Sequence, residues 1–179
     1  ALRMVNANPT LAASEFAAAY NDPNGFIMTN AENFTLDHPG GSFKNPYFLI
    51  YDGRSDYAFS KTLGDVMSNM GDGRKNLYKS TGADFPYGLV RADAITLPTT
   101  YAKFLSADML KENAPVVIVS AATSLLAAAE GVERGWVTGN AASLYADGIT
   151  ASFDQWGAPG AAACPRGPSA PPRRPATRA

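Results

Sequence analysis

The sequence predicts a mostly α protein in which helical hairpins are joined by long irregular loops. Three observations carry this expectation. Two apolar stripes at helical spacing lie close together between Ser120 and Gly157. Long stretches rich in Asn, Asp, Gly and Pro separate the remaining periodic segments. The one concentrated β-branched run, Val116 to Val119, is too short to found a sheet-based domain and reads as an extended lead-in to a helix.

The hairpin is the clearest element. Leu125, Leu126, Ala129 and Val132 recur at three- and four-residue steps, and Trp136 closes the same face. Gly135 provides a residue that can leave the helix with positive φ, where a Cβ would be strained. Thr138 or Asn140 can then cap the following helix through its side-chain oxygen. Tyr145, Ile149, Phe153 and Trp156 form the second stripe. So short a turn sets the two stripes face to face as an antiparallel pair. Such a pair leaves its outer apolar surface uncovered, as one unit of a helical repeat does.

Upstream, a short helix is expected from Ser14, with Phe16, Ala17 and Tyr20 on one side and Pro9 as a boundary. The segment from Asn21 to Pro39 reads as irregular, with a short extended piece at Phe26 to Met28. Lys44 to Tyr57 is expected to be a loop containing the apolar run Tyr47 to Tyr51. Ser60 opens a helix through about Met70 that buries Leu63, Val66 and Met67. Met70 to Arg91 returns to loop chemistry, and Tyr101, Phe104, Leu105 and Met109 suggest a helix over residues 100–111.

Composition limits the function. The 179 residues carry a net charge of −1, whereas a nucleic-acid binder needs a basic face to displace counterions. No apolar run approaches the roughly 20 residues that span a bilayer. With one cysteine, Cys164, no internal disulfide can form, and Cys164 with the one histidine, His38, does not make a four-ligand zinc site. No metal or cofactor is therefore expected. From Ala158 to Ala179 the chain is almost entirely Ala, Pro, Arg and Gly, and it is expected to be disordered because nothing there offsets chain entropy. Its abrupt onset after Gly157 fits either a basic linker or a frame-shifted tail.

Catalysis has little to work with. His38 sits in a Gly/Pro loop with no nucleophile motif, and Asp52, Asp56, Asp72 and Glu130 read as solvated or helix-end acids. Glu130 and Arg134 have the spacing of an intrahelical ion pair. Binding has better candidates. Tyr47, Tyr51 and Tyr57, with Phe48, lie within a dozen residues of Asp52, Arg54 and Asp56. Flat rings beside hydrogen-bonding groups suit a sugar, which offers C–H faces to stack and hydroxyls to bond. The plainer reading is that these rings pin the loop to the helices beneath it.

The stretch AATSLLAAAEGVERGW from Ala121 to Trp136, followed by LYADGITASFDQWG from Leu144 to Gly157, resembles the C-terminal signature of the SusD/RagB family. RSDYAFSKTL from Arg54 to Leu63, the turn Gly71 to Arg74 and FPYGL from Phe85 to Leu89 are similar to further family motifs in the same order. Thr123 stands where the family usually has Glu, and Gly73 where its turn has Pro. The resemblance covers residues 1–157 and implies a C-terminal fragment of a longer protein. It further implies a tetratricopeptide-like helical scaffold with ligand-carrying loops, and nutrient binding without catalysis. The ligand would be an oligosaccharide or another nutrient. The expected setting is the cell surface of Bacteroidetes, as an outer-membrane lipoprotein held by an N-terminal lipid anchor. The expected partner is a SusC-like TonB-dependent transporter. The motifs are scaffold, so Tyr47, Tyr51 and Tyr57 stand as binding candidates on loop chemistry alone. The competing readings are a helical-repeat module for a protein partner and, more weakly, a glycan-cleaving fragment.

Overall fold

The computed structural model describes residues 1–54, 56–95 and 101–160. It is mostly helical, with α1 at Pro9–Tyr20, α2 at Pro46–Tyr51, α3 at Lys61–Asn69, α4 at Arg91–Ala94, α5 at Ala121–Glu133 and α6 at Ala141–Trp156. Strands β1 at Phe34–Leu36 and β2 at Val116–Val119 form a two-stranded antiparallel ladder, with Phe34 opposite Val119 and Leu36 opposite Val116. The predicted lead-in at Val116 is thus a paired strand, and β1, which the sequence did not announce, is its partner. Residues 161–179 of the Ala/Pro/Arg tail, Cys164 among them, lie outside the described residues, so its expected disorder lies there too.

The α5–α6 hairpin forms as its stripes require. Ser120 caps α5 by accepting from the Thr123 N–H (3.2 Å), and Asn140 caps α6 by accepting from the Ser143 N–H (3.0 Å). Gly135 takes φ +74° at the end of α5, where a left-handed residue ends the helix. Leu125, Ala129 and Phe153 are buried, whereas Leu126 and Tyr145 stand at the edge of their stripes and remain exposed. The interface is closer and smaller than the large apolar residues alone suggest: Ala121, Ala122, Ala128, Gly148 and Ala151 are also buried.

Helix α1 starts earlier than expected. Asn8 caps it by accepting from the Leu11 N–H (3.1 Å), and Pro9 occupies the first helical position, where its missing N–H costs nothing. Ser14 lies within the helix and donates back to the Leu11 carbonyl (3.0 Å). Phe16 then packs on Trp136, with ring centroids 5.5 Å apart. Gly131 of α5 makes this approach feasible, because a Cβ there would collide with the Phe16 ring. Phe26 and Ile27 lie outside any regular element and pack on the α5–α6 core.

The Tyr47–Tyr51 run is helical, not a loop. Asn45 accepts from the N–H groups of Tyr47 (2.7 Å) and Phe48 (3.3 Å), Pro46 is the first helical residue, and the cap outweighs the short length. Buried Asn45 also donates to the Ala114 carbonyl (2.7 Å), which ties α2 to the approach to β2. Helix α3 begins at its Ser60 cap as expected, but it turns Gly64 and Met67 inward and leaves Leu63 and Val66 exposed.

The expected helix over residues 100–111 does not form; Thr100 lies outside the described residues. Tyr101 and Phe104 instead form isolated β-bridges with Ala83 and Lys79. Ala102 N–H donates to the Ala83 carbonyl (2.9 Å), and Phe59 N–H donates to the Ala102 carbonyl (2.7 Å). Leu105 has φ +73°, which breaks any continuing helix. These tertiary hydrogen bonds win over apolar spacing and produce a second core of Phe59, Met67 and Ala102 against Tyr78.

Candidate binding surface

Two links join the cores and place the loops between them. Arg74 forms a two-pronged pair with Asp72, Nε to Oδ1 at 3.0 Å and Nη2 to Oδ2 at 2.6 Å. It also donates to Ser152 Oγ (2.8 Å) and lies over the Phe153 ring at 4.2 Å. The turn after α3 is thereby clamped to α6. Hydrogen bonds from Arg74 hold the Asp72 carboxyl below the usual carboxylate value. Tyr78 meets Trp156 edge to face at 4.9 Å, which makes the second connection.

Asp84 braces the loop on the other side. Burial by itself would raise its pKa, but hydrogen bonds and charge from Lys79 and Lys75 outweigh burial and lower it. Lys75 Nζ is 3.0 Å from Oδ2, and Lys79 pairs with Oδ1. Next to Asp84, Phe85 exchanges backbone hydrogen bonds with the Phe59–Lys61 segment: its N–H donates to Phe59 (2.8 Å) and its carbonyl accepts from Lys61 (2.8 Å). This fixes the FPYGL stretch over the start of α3.

Tyr47, Tyr51 and Tyr57 line one cavity of about 250 Å³. Tyr51 is buried, and its hydroxyl accepts from the Phe104 N–H (2.9 Å). Burial raises its phenol pKa, and the Phe104 hydrogen bond opposes that rise. Lys103 Nζ sits 5.0 Å from the centre of the Tyr51 ring. Tyr51 is therefore a buried wall residue whose hydroxyl oxygen accepts from the backbone while its O–H remains a donor. Tyr57, at 58% exposure, stands at the mouth, and the Arg54–Asp56 pair (3.1 Å) lies beside it in the chain.

Sequence reasoning missed Tyr87 and Phe104, which line the same cavity. Tyr87 is 66% exposed and stands edge to face with Phe85 at 6.0 Å, so the latter ring supports it. A signal was available: Tyr87 lies between Pro86 and Gly88, a position where a large ring has no helix face to serve. Phe104 could not have been placed without knowing that it bridges to Lys79 instead of lying on a helix.

A second cavity, of about 320 Å³, lies against β2 and the helical hairpin. Tyr47 and Phe104 belong to its wall as well, together with Tyr78, Met109, Trp156 and the backbone of β2. The polar side chains of Ser120, Thr123 and Gln155 also line it. Ser120 Oγ and Thr123 Oγ1 are hydrogen bonded to each other at 3.0 Å.

The other candidates from the sequence lie apart. His38 is buried and stacks on Phe43 with ring centroids 4.9 Å apart. Glu130 pairs with Arg134 (2.6 Å) on the exposed side of α5, and Asp52 is exposed at the end of α2. Among the described residues no three His, Cys, Asp or Glu side chains converge, and no helix is long and apolar enough to cross a membrane.

A family model for SusD-like proteins, described as starch-binding and associating with the outer membrane, matches residues 1–166. Among solved structures, a SusD homologue from Bacteroides vulgatus matches with a TM-score of 0.74 and 25% identity, over 87% of this chain and 33% of that one. A chitin-binding SusD homologue from Flavobacterium johnsoniae matches with a TM-score of 0.75 and 26% identity, over 89% and 34%. A SusD homologue from Bacteroides uniformis, at 23% identity and TM-score 0.76, shares the fold over 90% of this chain and 35% of its own. The chain spans about a third of the length of these structures. No curated protein matches it.

Proposed function

The chain belongs to the SusD-like family of starch-binding proteins that associate with the outer membrane, and from that premise we propose that it contributes a carbohydrate-binding surface centred on Tyr47, Tyr51 and Tyr57. The observation that carries the proposal is the aromatic cavity, in which those three rings stand with Tyr87 and Phe104. Aromatic faces bind the C–H faces of sugar rings, and the exposed hydroxyl-bearing rings of Tyr57 and Tyr87 at the mouth offer hydrogen bonds to sugar hydroxyls. Starch in the family description and chitin in one structural relative agree with a saccharide as the ligand class.

In this reading the chain binds without turning over its ligand. The whole protein sits on the outer face of the outer membrane by a lipid anchor and passes the saccharide to a SusC-like TonB-dependent transporter. The test is calorimetric titration of the full chain with a panel of oligosaccharides, followed by chromatography of the recovered sugar. Saturable heat with unchanged sugar length is expected. No saturation with any saccharide would refute the proposal, and shortened products would replace binding with cleavage.

A further inference from the structure

The turn between α1 and Phe26 carries chemistry that the binding surface does not use. Asn24 is the one asparagine of the chain that glycine follows. Both residues are exposed, and Gly25 takes φ +76°. Apart from its chain neighbours, nothing lies within 4 Å of the place a Cβ would occupy on Gly25, so no other segment shields the peptide on that side. The remaining asparagines differ where it matters. Asn8 and Asn45 precede prolines, whose nitrogen has no proton to lose, and Asn45 is buried. The others precede residues with a Cβ, which crowds the same nitrogen.

An asparagine side chain beside an unhindered amide can react with its own backbone. The Gly25 nitrogen attacks Asn24 Cγ, and the new N–C bond closes a succinimide ring. The Cγ–Nδ2 bond breaks, and the proton from the Gly25 nitrogen leaves with the departing ammonia. Water then opens the ring at either carbonyl, giving an aspartyl residue or an isoaspartyl residue whose chain runs through the former side chain. Nothing is oxidised or reduced. The reacting groups sit on adjacent residues, so the attack is intramolecular and water is the only co-reactant.

Asp22 restrains the turn. Its Oδ1 accepts from the Asn24 N–H (2.8 Å) and from Asn24 Nδ2 (3.0 Å), and its carbonyl accepts from the Gly25 N–H (2.9 Å). These bonds hold the carboxamide on Asp22 and keep the proton on the attacking nitrogen, so the turn has to open before the ring closes. We propose that Asn24–Gly25 is a self-modification site, held back by Asp22, whose conversion loosens the end of α1 from the segment that follows. Conversion removes the Nδ2 donor and sets a second carboxylate beside Asp22. The isoaspartyl form also adds a carbon to the chain between two fixed points. One is Asn21, whose N–H donates to the Ala17 carbonyl (3.0 Å) at the end of α1. The other is Phe26, which stacks on Tyr20 at 5.2 Å and packs on the α5–α6 core.

The test is to age the full chain in mildly alkaline buffer at body temperature and to map samples by proteolysis and mass spectrometry. Labelling by isoaspartyl methyltransferase gives a second readout. Asn24 should convert about tenfold or more faster than any other asparagine, and Asp22→Ala should raise its rate about threefold or more. Asn24→Gln should abolish labelling of that peptide. The melting temperature should fall in step with conversion in the parent and stay constant in Asn24→Gln. Conversion of Asn24 no faster than that of the other asparagines would overturn the site. An unchanged or slower rate in Asp22→Ala would overturn the restraint, and full conversion at an unchanged melting temperature would overturn the loosening.

Discussion

Tyr57 and Tyr51 illustrate how two residues of one type, six apart, take different parts in one cavity. Tyr51 is at 9% exposure with its hydroxyl engaged by Phe104, so it serves as a fixed wall. Tyr57 is at 58% exposure and has little folded structure to hold up. Truncating Tyr57 to alanine should therefore weaken saccharide binding by about tenfold, the worth of a lost aromatic contact, while leaving the melting temperature unchanged. Calorimetry paired with thermal unfolding reads both. Tyr51→Phe should do the reverse in part: it strands the Phe104 N–H and costs about 1–2 kcal/mol of stability, with the stacking face preserved.

The acids Asp72 and Asp84 make an acid-sensitivity prediction at the same scale. Both have lowered folded-state pKa values, Asp72 through Arg74 and Asp84 through Lys79 and Lys75 against the effect of burial. A depressed carboxylate contributes stability that is fully present above its unfolded value, 3.8 for Asp, and that is lost as pH falls through the lower folded value. Thermal unfolding should thus be insensitive to these two groups near neutrality and should weaken as pH drops below 3.8. Asp72→Asn should lower the melting temperature at neutral pH and flatten the acid limb. An acid limb as steep in the variant as in the parent would remove Asp72 from the account.

At the scale of elements, the close approach of α1 to α5 depends on Gly131. Gly131→Ala places a methyl group where the Phe16 ring sits, and it should cost about 1–3 kcal/mol by overpacking, despite the better helix propensity of alanine. Chemical denaturation measures the difference, and a neutral or stabilising result would show that α1 moves aside freely. Periodicity made α3, α5 and α6 legible, with Ser60 at the start of α3 and Asn140 as one of two candidate caps of α6, because a stripe and a cap residue are both local signals. It misplaced the start of α1, where Asn8 before Pro9 was the stronger cap than Ser14. It also missed α2, since six residues are too few for a period to show and the decisive group, Asn45, is held by Ala114 from far along the chain. The apolar spacing of Tyr101, Phe104 and Leu105 imitated a helix, whereas Ala102 pairs with the backbone of Ala83 and Phe59, and Leu105 takes φ +73° with its N–H on the Tyr78 carbonyl. The candidate site shows the same division: three tyrosines on neighbouring segments were visible in the sequence, but Phe104 comes from a segment whose course only tertiary pairing determines.

For the molecule as a whole, two small cores are bridged by the Arg74 clamp and the Tyr78–Trp156 contact, and Tyr78 and Trp156 also line the second cavity. Leu126, Tyr145, Leu63 and Val66 stay partly exposed, as apolar residues of helical-repeat units do. The chain spans about a third of the length of its structural relatives. The proposed contact between carbohydrate and the tyrosine cavity is open to direct measurement. The direct measurement is NMR of the full chain with ring-labelled tyrosines, titrated with a neutral six-unit oligosaccharide. The account predicts saturable shifts for Tyr47, Tyr57 and Tyr87, with Tyr20 and Tyr145 unmoved. Saturable shifts confined to Tyr20 or Tyr145, or binding with no tyrosine perturbed, would contradict it.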